Sequence, residues 1–293
     1  MRALVGEVLY DFPSPHYGAP ENGLSFTKEL IRTWENDPLV SVAVEPHAVY
    51  TCSPDLLKAC RDIALEYGVP MIIHLSESQD EVSQVKERYG LSPVDHLEKL
   101  ELLSPQLIAD HCVVLTEEEI DILAHRGVRV VHNSESNMKL ANGVAPVTKL
   151  LERGVPVGLG TDGCASNNNL DMLAEMDSVA KLHKLYRKDP TVMDAKTVVR
   201  LATRGGAKVL GLDEHIGSLV PGKKADLIGL DLDKPHLTPM YNIHSHLVYA
   251  ASAADVTLSI INGRVVMRNH ELFTLDVEWV MAEVRAIARK IKS

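Results

Sequence analysis

The feature that most constrains the fold is a repeated alternation of short apolar, β-rich runs with longer amphipathic segments. This alternation is typical of βα units, which build a parallel sheet covered by helices. The sequence therefore predicts an α/β fold with six strands in its first 161 residues. The predicted strands are residues 3–9, 40–46, 70–75, 107–113, 128–133 and 155–161.

The segments between the predicted strands have helical spacing and recognisable ends. Ser53 precedes one apolar-periodic segment as a helix N-cap, Pro54 occupies its first turn, and Gly68 follows its last turn. Thr116 and Glu119 have the spacing of a capping box at the start of another segment. These local signals agree with the apolar periodicity and strengthen the prediction of helices between strands.

Beyond residue 161 the pattern changes to long helices and then to a β region rich in Gly and Pro. Asn262 and Gly263 predict a tight hairpin turn within that region. A final amphipathic helix closes the chain at 277–291. The predicted helices are 169–187 and 194–204, and the predicted domains are a barrel at 1–211, half of a β-sandwich at 212–270 and a C-terminal helix at 271–293.

Charge and cysteine usage exclude several classes of protein. Forty acidic and thirty basic residues give a formal net charge of -10, which argues against nucleic acid or an anionic membrane as a partner. The four cysteines are scattered without a Cys-x-x-Cys pair, so neither a zinc knuckle nor a disulfide framework is predicted. The first residues do not resemble a signal peptide, and no apolar run reaches the length of a membrane helix. A cytoplasmic protein is expected.

Five polar residues lie at or just beyond the carboxyl ends of consecutive predicted strands. In a (β/α)8 barrel these ends form the rim where active sites are built. A single buried histidine is commonly just hydrogen-bonded to a neighbour, but a series of imidazoles closed by a carboxylate favours a zinc or iron site. The five residues are His47, His74, His111, His132 and Asp162.

Two of these positions have neighbours that bear on their chemistry. Glu77 lies three residues after His74, where its carboxylate can face the same cavity and move protons. Asp162 lies in a turn flanked by glycines, although it could instead serve as a turn or cap residue. Asp110 precedes His111 and offers an alternative assignment at that strand end.

Two long motifs carry a resemblance to a known family. The runs HNSESNMKLANGVAPV and GTDGCASNNNLDM follow predicted barrel strands in order, and shorter runs such as IHLSE, DHCVVL and GSLVPGKKADL accompany them. Together they resemble the 5-methylthioadenosine/S-adenosylhomocysteine deaminase branch of the amidohydrolase superfamily over nearly the whole chain. Triazine chlorohydrolases and guanine deaminases share much of the same pattern.

The resemblance implies a TIM-like (β/α)8 metal-dependent hydrolase barrel that releases ammonia from 5′-substituted adenosines. It implies one divalent metal, zinc or alternatively iron, and a small nucleoside substrate. Because six strands cannot close an eight-stranded barrel without exposed edges, a lone chain should be unstable or oligomeric, and we expect a homo-oligomer. The implied roles are these: His74 and Asp162 as metal ligands, Glu77 as the proton carrier, His111 as the group that polarises the water or leaving group, His47 as a contact to the base, and Ser166 and His132 as supporting residues of the substrate pocket.

The sequence departs from this family at its beginning. The family binds its metal partly through a His-x-His pair at the end of the first barrel strand, and no residue before Ala3 supplies one. The other pair, His244 and His246, lies in a segment to which the resemblance gives no metal role. We therefore expect a chain that begins at the third barrel strand and lacks the first half of the β-sandwich.

Three functions remain open from the sequence. The first is a deaminase of 5′-substituted adenosines, and the second is a triazine chlorohydrolase or guanine deaminase of the same superfamily. The third is a catalytically incomplete remnant that only binds a ligand or a partner.

Overall fold

A parallel sheet forms the centre of the structure, a computed structural model that describes residues 1–292. Its strands are short and their apolar side chains are buried; Ile73 and Leu75, for example, are fully buried. Runs of this kind are expected of a parallel sheet covered on both faces. The strands of the described chain, inside and outside this sheet, are β1 Ala3–Val5, β2 Val8–Leu9, β3 Val40–Val42, β4 Glu45–Pro46, β5 Met71–Leu75, β6 Leu107–His111, β7 Arg129–His132, β8 Val157–Leu159, β9 Leu227–Leu230, β10 Val256–Ile261, β11 Arg264–Arg268 and β12 Glu271–Leu272.

Helices follow most of the central strands, and the predicted caps are confirmed. The Ser53 side chain accepts a hydrogen bond from Leu56 N, and Gly68 ends the same helix in the left-handed conformation. The capping box of Thr116 and Glu119 is complete. The helices are α1 Pro20–Trp34, α2 Pro54–Tyr67, α3 Gln79–Tyr89, α4 Pro93–Lys99, α5 Glu117–Arg126, α6 Ser134–Lys139, α7 Val147–Glu152, α8 Met172–Arg187, α9 Ala195–Arg200, α10 Gly206–Val209, α11 Ile243–Tyr249 and α12 Val277–Lys292.

The first two predicted strands are each divided into two short strands. β1 pairs in parallel with β3, and β2 pairs in parallel with β4. The division falls at Gly6, where the backbone approaches Glu45 so closely that a Cβ on Gly6 would lie 2.6 Å from its carboxylate. The prediction of one continuous strand at 3–9 and another at 40–46 was therefore wrong in this detail, because each range contains two short strands.

The strands β5 to β8 form one parallel sheet in sequence order. Two isolated bridges, from Val44 to Met71 and from Ala48 to His74, connect the β3–β4 segment to β5. Among residues 1–292 the pairing does not close into a barrel, since β1 and β2 pair only with β3 and β4, and β8 pairs only with β7. The observed architecture is thus a set of parallel βα units whose strand pairing is open at both ends.

The predicted helix 194–204 is interrupted. α9 ends at Arg200, and a π-helical turn at Leu201–Gly205 connects it to α10. A Cβ on Gly205 would lie 2.5 Å from the carbonyl oxygen of Val157, so the absence of a side chain there permits close contact with β8. This contact explains why the helix departs from regular α geometry, which apolar periodicity could not predict.

The C-terminal region forms a four-stranded antiparallel sheet in the order β12–β11–β10–β9. Asn262 and Gly263 have positive φ angles of 50° and 78°, which confirms the predicted tight turn between β10 and β11. Arg2 joins this sheet to the first strand, because its Nε lies 2.6 Å from an Asp226 carboxylate oxygen. The final helix extends over 277–292, and Ser293 of the predicted C-terminal segment lies outside the described residues.

In the described chain, no helix combines the length and hydropathy that crossing a membrane would need. The four cysteines are free, and Cys52, Cys60 and Cys112 are buried.

Candidate active site at the carboxyl end of the sheet

Three of the predicted rim histidines form a row across neighbouring strands. The ring centroids of His47 and His74 are 4.9 Å apart, and those of His74 and His111 are 5.5 Å apart. The row follows from the parallel arrangement of the strands, which brings their carboxyl ends to one edge. The structure thus brings these three residues together, as their positions in the sequence suggested.

The ring of His74 is oriented by the backbone of the preceding strand segment. The carbonyl oxygen of His47 accepts hydrogen bonds from both His74 N, at 3.0 Å, and His74 Nδ1, at 2.8 Å. Since a carbonyl only accepts, the proton of a neutral His74 lies on Nδ1 and the lone pair lies on Nε2. This is the arrangement in which a histidine can ligate a metal through Nε2.

The pKa values of the neighbouring His47 and His74 are shifted in opposite directions. Burial, with a smaller contribution from the positive charge of His74, lowers the pKa of His47 to about 4. Burial also disfavours the charged form of His74, but Asp110, the His47 carbonyl and Glu77 raise its pKa above the ordinary value. His47 is therefore neutral at pH 7, and it donates to or accepts from Thr51 Oγ1 at 2.9 Å.

His111 and Glu77 face each other at the carboxyl end of the sheet. The buried His111 donates from Nδ1 to Asn137 Oδ1 at 2.9 Å, which leaves its Nε2 3.9 Å from Glu77 Oε2. Glu77 Oε1 accepts a hydrogen bond from Asn142 at 2.9 Å. The gap between Nε2 and Oε2 exceeds a direct hydrogen bond but allows both groups to contact one small molecule.

Asp110 and His111 occupy the end of β6 together. His111 has a left-handed φ of 69°, and Cys112 follows it at 49°, so the chain turns sharply at this point. Burial raises the pKa of Asp110 to about 7, and the nearby charge of His74 opposes that shift. Asp110 also interacts electrostatically with Asp162, so both residues at this strand end belong to the surroundings of the site.

Asp162 lies in a turn after β8 with a left-handed φ of 59°. One carboxylate oxygen accepts a hydrogen bond from Ser136 Oγ at 2.6 Å, and the other accepts one from Gly163 N at 2.6 Å. Burial would raise the pKa of Asp162, but its hydrogen bonds from Ser136 and Gly163 help to bring it below the ordinary value. Asp162 is therefore an ionised carboxylate whose position is fixed from two sides.

His132 has a different environment from the other rim histidines. Its Nε2 lies 3.1 Å from His183 Nε2, and both rings are buried. Burial lowers the pKa of His183 to about 4 and that of His132 well below its ordinary value, so both are neutral. No partner for His132 Nδ1 is present among the described residues. Ser166 is half-buried in the Asp162 turn and donates to the Gly163 carbonyl at 3.1 Å.

The sequence reasoning did not identify several side chains that hold the site. Ser136, Asn137 and Asn142 contact Asp162, His111 and Glu77 respectively, and all three lie within the quoted run HNSESNMKLANGVAPV. That motif was therefore the available signal. No sequence signal pointed to His183, because its partner, His132, lies 51 residues earlier in the chain.

The donor chemistry fits a divalent metal, but the number of donors does not. His74 Nε2 and Asp162 are suitable ligands, whereas the described residues contain no group of three His, Cys, Asp or Glu side chains that could hold an ion. Catalytic zinc takes three protein ligands as a rule. The described residues therefore do not by themselves supply the three protein ligands of a catalytic zinc site, and His244 and His246, both on α11, belong to no such group either.

Comparisons with known proteins identify relatives similar to this chain in sequence and in fold. The chain is 63% identical over 292 residues to the 5-methylthioadenosine/S-adenosylhomocysteine deaminase of Syntrophobacter fumaroxidans, which covers 100% of this chain and 67% of that protein. A crystal structure of an adenosine deaminase from Xanthomonas campestris with bound zinc superimposes with a TM-score of 0.97 at 40% identity, covering 99% of this chain and 66% of the other.

An atrazine chlorohydrolase from Arthrobacter aurescens, complexed with zinc, superimposes with a TM-score of 0.86 at 27% identity, covering 94% of this chain and 62% of the other. The chain thus spans about two thirds of the length of the proteins it matches. The model of the Amidohydrolase family matches residues 1–266. This chain belongs to the amidohydrolase family.

Proposed function

We propose that this chain forms the larger part of a metal-dependent hydrolytic deaminase acting on 5′-methylthioadenosine and S-adenosylhomocysteine. The observation that carries the proposal is the row of His47, His74 and His111, with Glu77 facing His111. The 63% identity to a relative of that name supports the substrate class. Hydrolytic deamination adds a water oxygen to the amine-bearing ring carbon and releases ammonia.

The proposed proton transfers use residues that face each other. Glu77, protonated, donates to the ring nitrogen that gains electron density and is reprotonated by the added hydroxyl, while the proton that Asp162 takes from the water goes to the departing amine. His111, held by Asn137 and 3.9 Å from Glu77, orients and polarises the attacking water. Asp162, held as a carboxylate by Ser136, accepts the proton of that water.

The remaining site residues would contact the substrate, hold the metal or support other residues of the site. We propose that neutral His47 contacts the purine base and that Ser166 supports the Asp162 turn. His132, bonded to His183, supports the wall of the pocket from within the core. His74 and Asp162 would hold the divalent metal, zinc in this proposal, which supplies Lewis-acid activation of water when bound.

The proposal extends to the architecture. Residues 1–211 would correspond to strands three to eight of an eight-stranded barrel, residues 212–270 to half of a β-sandwich, and residues 271–293 to a C-terminal helix. The open pairing of β1, β2 and β8 supports this assignment. Two further strands and a His-x-His pair would complete both the barrel and the metal site. We place the enzyme in the cytoplasm as a homo-oligomer.

The test compares this chain alone with this chain plus the first third of the Syntrophobacter fumaroxidans relative, supplied as a separate polypeptide. With zinc present, we expect the completed assembly to release ammonia from both adenosine derivatives. Asp162→Asn should lower that rate by at least about 100-fold. Asp121→Asn is the matched control, because Asp121 lies on the exposed face of α5 and pairs with Arg153 at 2.7 Å.

Two results would contradict the proposal. One is a faster release of chloride from a chlorotriazine, or of ammonia from guanine, than from the adenosine derivatives. The other is a completed, zinc-loaded assembly that binds nucleoside without turnover, which would indicate a binding remnant.

A further inference from the structure

Glu81 is a buried carboxylate that serves the loop before its own helix. It occupies the third position of α3, and Ser78 is the N-cap, whose Oγ accepts a hydrogen bond from Glu81 N at 3.2 Å. The Glu81 carboxylate extends beyond Ser78. Its Oε1 accepts from Ser76 N at 3.1 Å, and its Oε2 accepts from Glu77 N at 2.6 Å.

Glu119 shows what a residue with the same spacing does elsewhere in this chain. It is buried, occupies the third position of α5, and accepts from the amide of its own N-cap, Thr116, at 2.7 Å. That reciprocal pairing stabilises a helix end and nothing beyond it. Glu81 keeps half of this arrangement, the bond to Ser78, but directs its carboxylate at two amides outside the helix.

The loop held by Glu81 has an unusual backbone. Ser76 adopts a left-handed φ of 50°, a conformation that residues other than glycine rarely adopt. Its carbonyl oxygen accepts from Val113 N at 3.1 Å and from Val114 N at 2.9 Å, both in the segment after β6. The turn is thus fixed through its amides by Glu81 and through its carbonyl by the neighbouring strand.

We propose that Glu81 is a positioning residue for Glu77, a role that rests on the proton-carrying function proposed above for Glu77. By binding the amides of Ser76 and Glu77, Glu81 fixes the point from which the Glu77 side chain extends. The Glu77 carboxylate then lies between Asn142 and His111. Any rotation of this turn would move the Glu77 carboxylate away from His111.

The two oxygens of Glu81 explain why glutamine cannot replace it. Each oxygen accepts one amide, so Glu81→Gln would place an NH₂ group against an N–H donor and lose one of the two bonds. Glu119 uses only Oε2 for Thr116, so Glu119→Gln keeps its single acceptor. The two variants are therefore matched in size, burial and helix position, and only the first disturbs the site.

The first measurement is hydrogen exchange of individual amides by NMR in the full chain. We expect Glu81→Gln to speed exchange at Ser76 and Glu77 by at least about tenfold, while Glu119→Gln leaves those two amides unchanged. Circular dichroism checks that both variants fold. Unchanged exchange at both amides in folded Glu81→Gln would overturn the proposal, whether or not the chain is an active deaminase.

The second measurement uses the completed, zinc-loaded assembly. Glu81→Gln should lower kcat by about 10- to 100-fold with KM within about threefold, because the turn is misplaced while the rest of the pocket is intact. Glu119→Gln should keep both constants. A loss confined to KM, or an equal loss of kcat in both variants, would overturn a positioning role. Absence of turnover in the unmodified assembly would reject the proposed function alone and leave the exchange result to decide.

Discussion

The two four-stranded β-sheets of this molecule differ in how far other elements cover them. In the sheet β5–β8, side chains such as Ile73 and Leu75 are fully buried between helices and neighbouring strands. In the sheet β9–β12, every residue is half-buried or exposed, and Ile228 is 53% exposed. The first sheet can therefore hold reactive groups at fixed distances, whereas the second has little packing to fix its side chains.

The buried carboxylates of the two regions also differ in their hydrogen-bond and ion-pair partners. Around β5–β8, burial raises the pKa of Glu81 to about 7 and of Glu175 to about 8. Near β9–β12, the buried Asp255 is paired with Lys234 at 2.8 Å and with His236 at 3.1 Å, and the bond to Lys234 lowers its pKa far below the ordinary value. Buried carboxylates near the site are bound mainly by amides, and the distant one is bound by cations.

The largest difference in the free energy of unfolding should appear when an isoleucine is replaced by alanine in each of the two sheets. Ile73→Ala should lower the free energy of unfolding by about 2–5 kcal/mol, because it removes three buried carbon atoms and leaves a cavity in β5. Urea denaturation followed by circular dichroism measures this loss.

The matched control for Ile73 is Ile228→Ala in β9, where the same atoms are already half in water. It should cost less than about 1 kcal/mol. Equal losses from the two variants would mean that the second sheet is as well covered in solution as the first.

A smaller difference is expected when one methyl group is added to a strand glycine. Gly158→Ala in β8 would place a Cβ 2.9 Å from the Gly206 Cα in α10, so a backbone must move. The expected loss is about 1–3 kcal/mol in the free energy of unfolding, again measured in urea.

Gly229→Ala in β9 supplies the comparison for Gly158. Its Cβ would meet the Cβ of the half-buried Leu258 at 3.2 Å, a contact that a shift of a few tenths of an ångström relieves. We expect a loss well below that of Gly158→Ala. A larger loss at Gly229 would show that β9 and β10 pack rigidly.

The same contrast explains how much could be predicted from the sequence. The strands β5–β8 and the caps at Ser53 and Thr116 were predictable, because periodicity and capping depend on residues a few positions apart. The row of His47, His74 and His111 followed from their places at strand ends. The hydrogen bond that Glu175 accepts from Ser134 and the one between His183 and His132 could not be predicted, since 41 and 51 residues separate the partners.

The divided first strands and the π-helical turn were also beyond sequence reasoning. Both depend on close backbone approaches, of Gly6 to Glu45 and of Gly205 to Val157. Glu81 was not predicted from the sequence either: Ser78 precedes it at the spacing of an N-cap, but the direction of its carboxylate toward Ser76 depends on a left-handed turn that only the structure shows.

The last expected difference concerns the slope of stability against pH rather than stability at one pH. Glu175 is buried and accepts from Ser134 N at 2.5 Å, and burial raises its pKa to about 8. A carboxyl with a raised folded-state pKa stabilises the protein fully below its unfolded value of about 4.5, and this stability is lost as pH rises toward 8. Glu175→Gln should flatten that decline by no more than about 1.4 kcal/mol per pH unit, measured by urea unfolding from pH 5 to 9.

Asp255→Asn should have the opposite sign. Because the pKa of Asp255 is lowered, its contribution is present above the unfolded value of about 3.9 and is lost as pH falls below it. The asparagine variant should therefore flatten the acid side of the stability curve and leave the range from pH 5 to 9 unchanged in slope. If Glu175→Gln changed the slope of the stability curve only at acid pH, Glu175 would be an ordinary ionised cap on α6. The pKa values of buried carboxylates would then be shifted in the same direction in both regions.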